Sequence, residues 1–377
     1  MKRNLIPALA FMALFLSCQP AEKNTNLLQQ ALASPDPAIQ RVMDSLDLYE
    51  VQIKYTRIDR ANDSLILKDH TFQVDDDHYF YPASTVKFPI AVLALERLNQ
   101  TDTLSMNTRY YVEGDTIEST VLKDVSEVFA VSDNLANNRL LELLGQDAVN
   151  QALAKKGIGP VRISHRLGYH SDDLRTKPWI VYLNDSTTSP SLPTTNTAPM
   201  PLQINALKKG TGYYEGDSLM AQPFDFSLKN YYPINAQHDV LKRVIFPEKF
   251  PEEERFQLSP DQRKELLKAM HTVPRKAGYD ADTYYDGYCK FFIYGDTKDN
   301  IPEHMKIYNK VGFAYGTLTD CAYIVDEKNN VEFMLTATLL VNKDGVFNDD
   351  AYEYDEVGIP FLAALGRTLY ALELERK

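Results

Sequence analysis

Residues 79–98 read YFYPASTVKFPIAVLALERL, an extended aromatic run ending at Pro82 and then an apolar helical pattern. Ser84 and Lys87 fall at the junction, in the only S-x-x-K of the chain. A serine at a helix N-terminus sits beside unpaired backbone N–H groups and the positive end of the helix dipole, which favour an anionic partner such as a tetrahedral oxyanion. Lys87, three residues on, returns to the same helix face within reach of Ser84. Desolvated and close to a second cation, such a lysine gives up its proton and serves as a general base. The plainer alternative makes Ser84 an N-cap and Lys87 a solvated first-turn lysine.

Two further short motifs give the pair a context. Ser132-Asp133-Asn134 lies between a helix predicted over Val125–Val131 and another over Leu135–Leu144 that ends at Gly145. Alone, the triplet reads equally well as ordinary capping residues. Lys310-Val311-Gly312 opens a β-rich stretch running to Val325, followed by a turn over 326–330 and a second run from Val331 to Leu340. This predicts a hairpin with Lys310 on its first strand and Gly312 letting a substrate backbone approach closely.

The set S-T-V-K, S-D-N and K-V-G resembles the penicillin-recognising serine hydrolases, most closely the class A β-lactamases with their S-x-x-K, S-D-N and K-T-G. Residues 80–87, 132–145 and 310–324, together with Thr195-Asn196-Thr197-Ala198-Pro199, are similar to that family's corresponding segments. The resemblance spans residues 38–377. It implies an α/β fold of two lobes, with an antiparallel sheet flanked by the terminal helices and an all-α lobe beside it. It also implies acyl transfer from an amide through an acyl-serine. Ser84 would be the nucleophile, Lys87 its activator and Ser132 the proton relay to the leaving nitrogen. Asn134 would orient the acyl amide, and Lys310 would supply positive field for Ser132 and a substrate carboxylate. The N–H groups of Ser84 and Phe313 would form the oxyanion hole.

Departures from the pattern bear on turnover and on substrate. The family's loop R-L-D-R-x-E-x-x-L-N corresponds to residues 166–175, where Arg166, Leu167 and Leu174 agree but Ser171 stands in the place of the deacylating glutamate. Asp172, Asp173 or His170 is the candidate replacement base; a solvated acidic loop is the alternative for each. Val311 removes the hydroxyl of K-T-G, and Thr317–Val325 contains no arginine to bind a substrate carboxylate. Phe313, bulky for its position, either crowds the oxyanion side or packs on the sheet. Three readings therefore stay open: a β-lactamase, a cell-wall peptidase or esterase with the same site, and a penicillin-binding protein with little turnover.

Composition bounds the rest. The 377 residues, 44% hydrophobic, can bury a large core, and a net charge of −12 disfavours nucleic acid as a partner. Met1-Lys2-Arg3 and the apolar Leu5–Leu16 predict a signal peptide over 1–17. Cys18 then resembles the lipidated first residue of a bacterial lipoprotein, on a flexible tether over 18–37. This reading predicts export to the periplasm or envelope with a membrane anchor. Cys289 and Cys321 either pair or remain buried thiols. The histidines show no zinc-ligand spacing, and no cofactor is implied. An α/β lobe over 38–83 and 285–377 should enclose an α lobe over 84–284. Within the latter, 202–256 lies outside the resemblance, its Tyr213, Tyr214, Phe224, Phe226, Tyr231 and Tyr232 forming either a lid or a self-packed loop.

Overall fold

The computed structural model describes residues 26–61, 64–101, 104–168 and 172–376. The predicted signal peptide and Cys18 lie outside them. The frame is one five-stranded antiparallel sheet in the order Met305–Ala314, Thr317–Asp326, Val331–Leu340, Gln52–Ala61 and Ser64–Phe72. The stretch from Lys310 to Val325 is two strands, divided by the turn Tyr315-Gly316, where both residues take left-handed φ (52° and 70°). Ser64–Phe72, unpredicted, is the edge strand; its Lys68-Asp69-His70 interrupts any simple apolar alternation.

Both faces of the central strands are covered, so these strands are buried along almost their whole length. Ala322, Ile324, Phe333 and Leu335 pack toward the C-terminal helix Ile359–Arg376. Cys321, Tyr323 and Met334, on the alternate positions, pack toward the helical lobe and helix Ile234–Ile245. That helix lies inside the segment expected to be an insertion. Its polar residues conceal it in the sequence: the buried His238 bridges Thr56 Oγ1 at 2.6 Å and Thr336 Oγ1 at 2.8 Å across the helix–sheet boundary.

Two other expectations are corrected. The tether ends earlier than residue 37, because Leu27–Leu32 is a helix whose Leu28 and Ala31 are buried in the C-terminal helix's core. The middle of the chain is not wholly helical: Tyr110–Val112, Trp179–Asn184 and Thr187–Pro190 form a small sheet, anchored where Tyr110 stacks on Trp179 with ring centroids 3.5 Å apart. Of the extra aromatics, Phe226 and Tyr231 form a buried cluster with Tyr79, Tyr81 and Phe347, and Phe224 packs on it, which is the self-packed arrangement.

Candidate active site

Ser84 sits in a short 3-10 turn, Ala83–Val86, that feeds the helix Lys87–Leu98. Thr85 fixes the turn by donating from Oγ1 to the Pro82 carbonyl at 2.7 Å and from its N–H to the same oxygen at 3.1 Å. Ala83 holds a left-handed φ of 46°, a strained conformation placed immediately before Ser84. The strand Met305–Ala314 packs directly on this turn. A Cβ on Gly312 would lie 2.7 Å from the Pro82 oxygen, 2.8 Å from Ser84 N and 2.9 Å from Thr85 N. Gly312 is thus needed for the close approach of the turn that carries Ser84. Its neighbour Phe313 is thereby brought to Ser84.

Lys87 is fully buried, which removes the reading of a solvated first-turn lysine. Among the described residues its ammonium donates to the Ser132 carbonyl and, at 3.1 Å, to Ser132 Oγ. Lys310 Nζ donates to the same Oγ at 2.7 Å and to the Val311 carbonyl at 2.8 Å. Ser132 Oγ therefore joins the two amines. Burial, and then the positive charge of Lys310, hold the Lys87 pKa well below the ordinary lysine value. Burial brings Lys310 down to about 8. Burial beside the Lys310 charge thus favours the neutral form of Lys87, the direction a general base requires.

Within the S-D-N triplet the labour is divided. Asp133 is the N-cap of helix Asn134–Leu144, accepting from Ala136 N at 2.7 Å. Ser132 stands before it with a left-handed φ of 58° that turns its oxygen to the lysines, and Asn134 faces the cleft. Behind Lys310 lies a buried polar layer. Asp320 accepts from Asn309 Nδ2 at 2.8 Å and from Phe291 N at 3.1 Å, and burial raises its pKa to about 6. Lys290 bonds Asn309 Oδ1 at 2.6 Å, with burial lowering it to about 8. Cys289 and Cys321 are both buried free thiols, so they do not pair.

The cleft above Ser84 has a volume of about 400 Å³. Ser84 and Asn134 form one side, and Leu167 and Gly168 approach from the loop that follows Arg166. Phe313, Ala314 and Tyr315 end the neighbouring strand. Phe313 is 46% exposed, yet its ring meets Tyr354 at 5.5 Å, so it both lines the cleft and packs. The far wall, Asn348, Asp350, Tyr352 and Tyr354, was not anticipated. In sequence it is an acidic, tyrosine-bearing connection between strand and helix, with no motif to mark it.

The loop carrying the candidate deacylation base is pinned at its base. Arg166 donates from Nε and Nη2 to the two oxygens of buried Glu142 at 2.6 and 2.8 Å, and from Nη2 to the Arg175 carbonyl at 3.0 Å. His170 and Ser171 lie outside the described residues. Asp172 and Asp173 are exposed and line other clefts, so neither is brought to the one holding Ser84.

The antiparallel sheet with its flanking helices and the helical lobe beside it form an α/β fold of the β-lactamase type. Residues 36–210, which include Ser84, Lys87, Ser132 and Asn134, match the sequence model of the Beta-lactamase enzyme family. Among solved structures, a PBP-A mutant in an acyl-enzyme complex with penicillin G is similar over 95% of this chain and 100% of its own, at 14% identity and TM-score 0.52. PBP-A itself covers 95% and 99% at 14% identity and TM-score 0.51. A class A β-lactamase from Mycobacterium abscessus covers 90% and 98% at 14% identity and TM-score 0.50. At such identities these likenesses speak for the fold alone. No curated protein matches the chain.

Proposed function

We propose that the protein acylates Ser84 with a β-lactam or a related amide and then hydrolyses the acyl-enzyme. The observation that carries this reading is the meeting of Lys87 and Lys310 on Ser132 Oγ, with Lys87 opening the helix that follows the Ser84 turn and Ser84 lining the cleft. Neutral Lys87 takes the Ser84 proton as Oγ attacks the carbonyl carbon. The oxyanion that forms lies toward the N–H groups of Ser84 and Phe313, each such donor being worth about 3 kcal/mol in the transition state. The C–N bond then breaks, and the nitrogen leaves with a proton passed from Lys87 through Ser132, while Asn134 orients the acyl side. Water finally cleaves the acyl ester.

One observation favours a second reading, a penicillin-binding protein with little turnover: Asp172 and Asp173 stand away from the Ser84 cleft. A peptidase or esterase would use the same acylation residues. Export and anchoring through a lipidated Cys18 complete the proposal. The test is a time course of intact-protein mass with penicillin G, beside Ser84→Ala. An adduct that needs Ser84 and decays as hydrolysed drug accumulates fits a β-lactamase. One that persists for hours fits the second reading. An adduct undiminished in Ser84→Ala, or none in either protein, sinks the acyl-Ser84 assignment for β-lactams.

A further inference from the structure

The cleft beside Ser84 has a chemical bias that the acylation motifs do not express. Among the described residues lining it, Asp350 is the sole charged side chain. Around it stand Tyr81, Phe313, Tyr315, Tyr352 and Tyr354. Among the described residues no cation lines this space: Lys310 is buried, its ammonium committed to Ser132 and to the Val311 carbonyl. Val311 has no hydroxyl to offer, and the strand Thr317–Asp326 carries no arginine. A lone carboxylate among aromatic faces attracts a cation twice over, by ion pairing and by the negative face of each ring.

The wall is a built one. Gly316 N donates to Tyr354 Oη at 2.8 Å and Asn348 N donates to Tyr352 Oη at 2.8 Å, which fixes both rings. Tyr315 meets Tyr81 edge-on at 4.9 Å. Asp350 has a left-handed φ of 60° and follows Asp349, whose carboxylate caps the turn by accepting from Ala351 N at 3.0 Å. Upstream, Val346–Phe347 pairs with the strand Gly212–Glu215, and Asn348 Nδ2 donates to the Tyr214 carbonyl at 3.1 Å. The segment that lies outside the family resemblance therefore buttresses the loop that presents Asp350.

We propose that this cleft selects substrates whose acyl portion carries an ammonium group, with Asp350 as the specificity-determining residue. The acyl side is indicated because Asn134, which orients the acyl amide, lines the same cleft, whereas Ser132 and Lys310, on the leaving-group side, do not. The inference rests on the acyl-Ser84 reading and sharpens it.

The test compares second-order rates of Ser84 acylation by three penicillins that share a phenylacetyl framework. Ampicillin carries an α-ammonium on the acyl chain, penicillin G no charge there, and carbenicillin a carboxylate. Ampicillin should react roughly tenfold faster than penicillin G, the combined effect of an exposed ion pair and a cation–π contact, with carbenicillin slowest. In Asp350→Asn the ampicillin to penicillin G ratio should fall to about one, and in Asp350→Lys the order should reverse in favour of carbenicillin. Equal rates for the three in the unaltered protein, or a ratio that survives both substitutions, overturn the inference while leaving acylation intact. No Ser84 adduct with any of them overturns the acyl-serine reading itself, and this inference with it.

Discussion

Replacing Gly312 with alanine adds one carbon where the structure has no room. That carbon would stand 2.7, 2.8 and 2.9 Å from Pro82 O, Ser84 N and Thr85 N, where ordinary contact begins near 3.4 Å. All three are backbone atoms of the turn that bears the nucleophile, so no side chain can swing aside. The turn and the strand must separate by roughly half an ångström or more, an overpacking cost of about 1–3 kcal/mol. The same displacement moves Ser84 relative to Phe313 and Lys87. Misplacement of reacting groups by about 1 Å costs on the order of 10²-fold in rate, so acylation should slow by about 10- to 100-fold. Quenched intact-mass measurements give the acylation rate, and calorimetry gives the melting temperature, which should drop by a few degrees. Acylation within about twofold of the parent, in a folded variant, would refute the claim that Gly312 sets the position of the nucleophile turn.

Two further outcomes are expected. Acylation should fall as pH rises through about 8, because Lys310 loses there the charge that acts on Ser132; this alkaline limb should vanish in Lys310→Arg, whose guanidinium stays charged, and an unmoved limb would take Lys310 out of that role. In a bacterial host the protein should fractionate with membranes and take up labelled fatty acid, both lost in Cys18→Ser; a soluble, unlabelled parent protein would exclude the lipid anchor.

What the sequence disclosed was local. S-T-V-K, S-D-N and K-V-G each lie within four residues and carry their own structural context, a helix start, a helix cap and a strand. The convergence of Lys87 and Lys310 on Ser132 follows from motifs that can be read one at a time. The cleft wall was not legible, because Asp350, Tyr352 and Tyr354 acquire a role only when a parallel pairing to 212–215 sets their loop against Phe313 and Tyr315. Helix Ile234–Ile245 was obscured for a different reason. Gln237 and His238 look like solvent-facing residues, yet both are buried, with Gln237 Nε2 donating to the Tyr232 carbonyl at 2.8 Å and His238 held between two threonines. For His238, hydrogen bonding to partners distant in sequence offsets the cost of burial, and a hydrophobic pattern cannot register that. Gly312 shows the same limit at one residue: its smallness was read as room for substrate, and its close packing against residues 82–85 was not foreseen.

Acylation and turnover make separate demands on this fold. Acylation draws on Lys87, Ser132 and Lys310, groups locked by burial and by one another, so the first half of the reaction is organised before substrate arrives. Deacylation needs a base that can reach a water beside the ester, and in the family that base comes from the loop after Arg166. Here the loop keeps its anchor in the buried Arg166–Glu142 pair but presents Asp172 and Asp173 to other clefts. A buried, bidentate pair of this kind fixes the loop's base and leaves little freedom to carry a carboxylate inward. On the proposed reading Ser84 and Asp350 govern which acyl groups react, whereas the lifetime of the adduct depends on a base outside that set, and the two properties should respond to different substitutions.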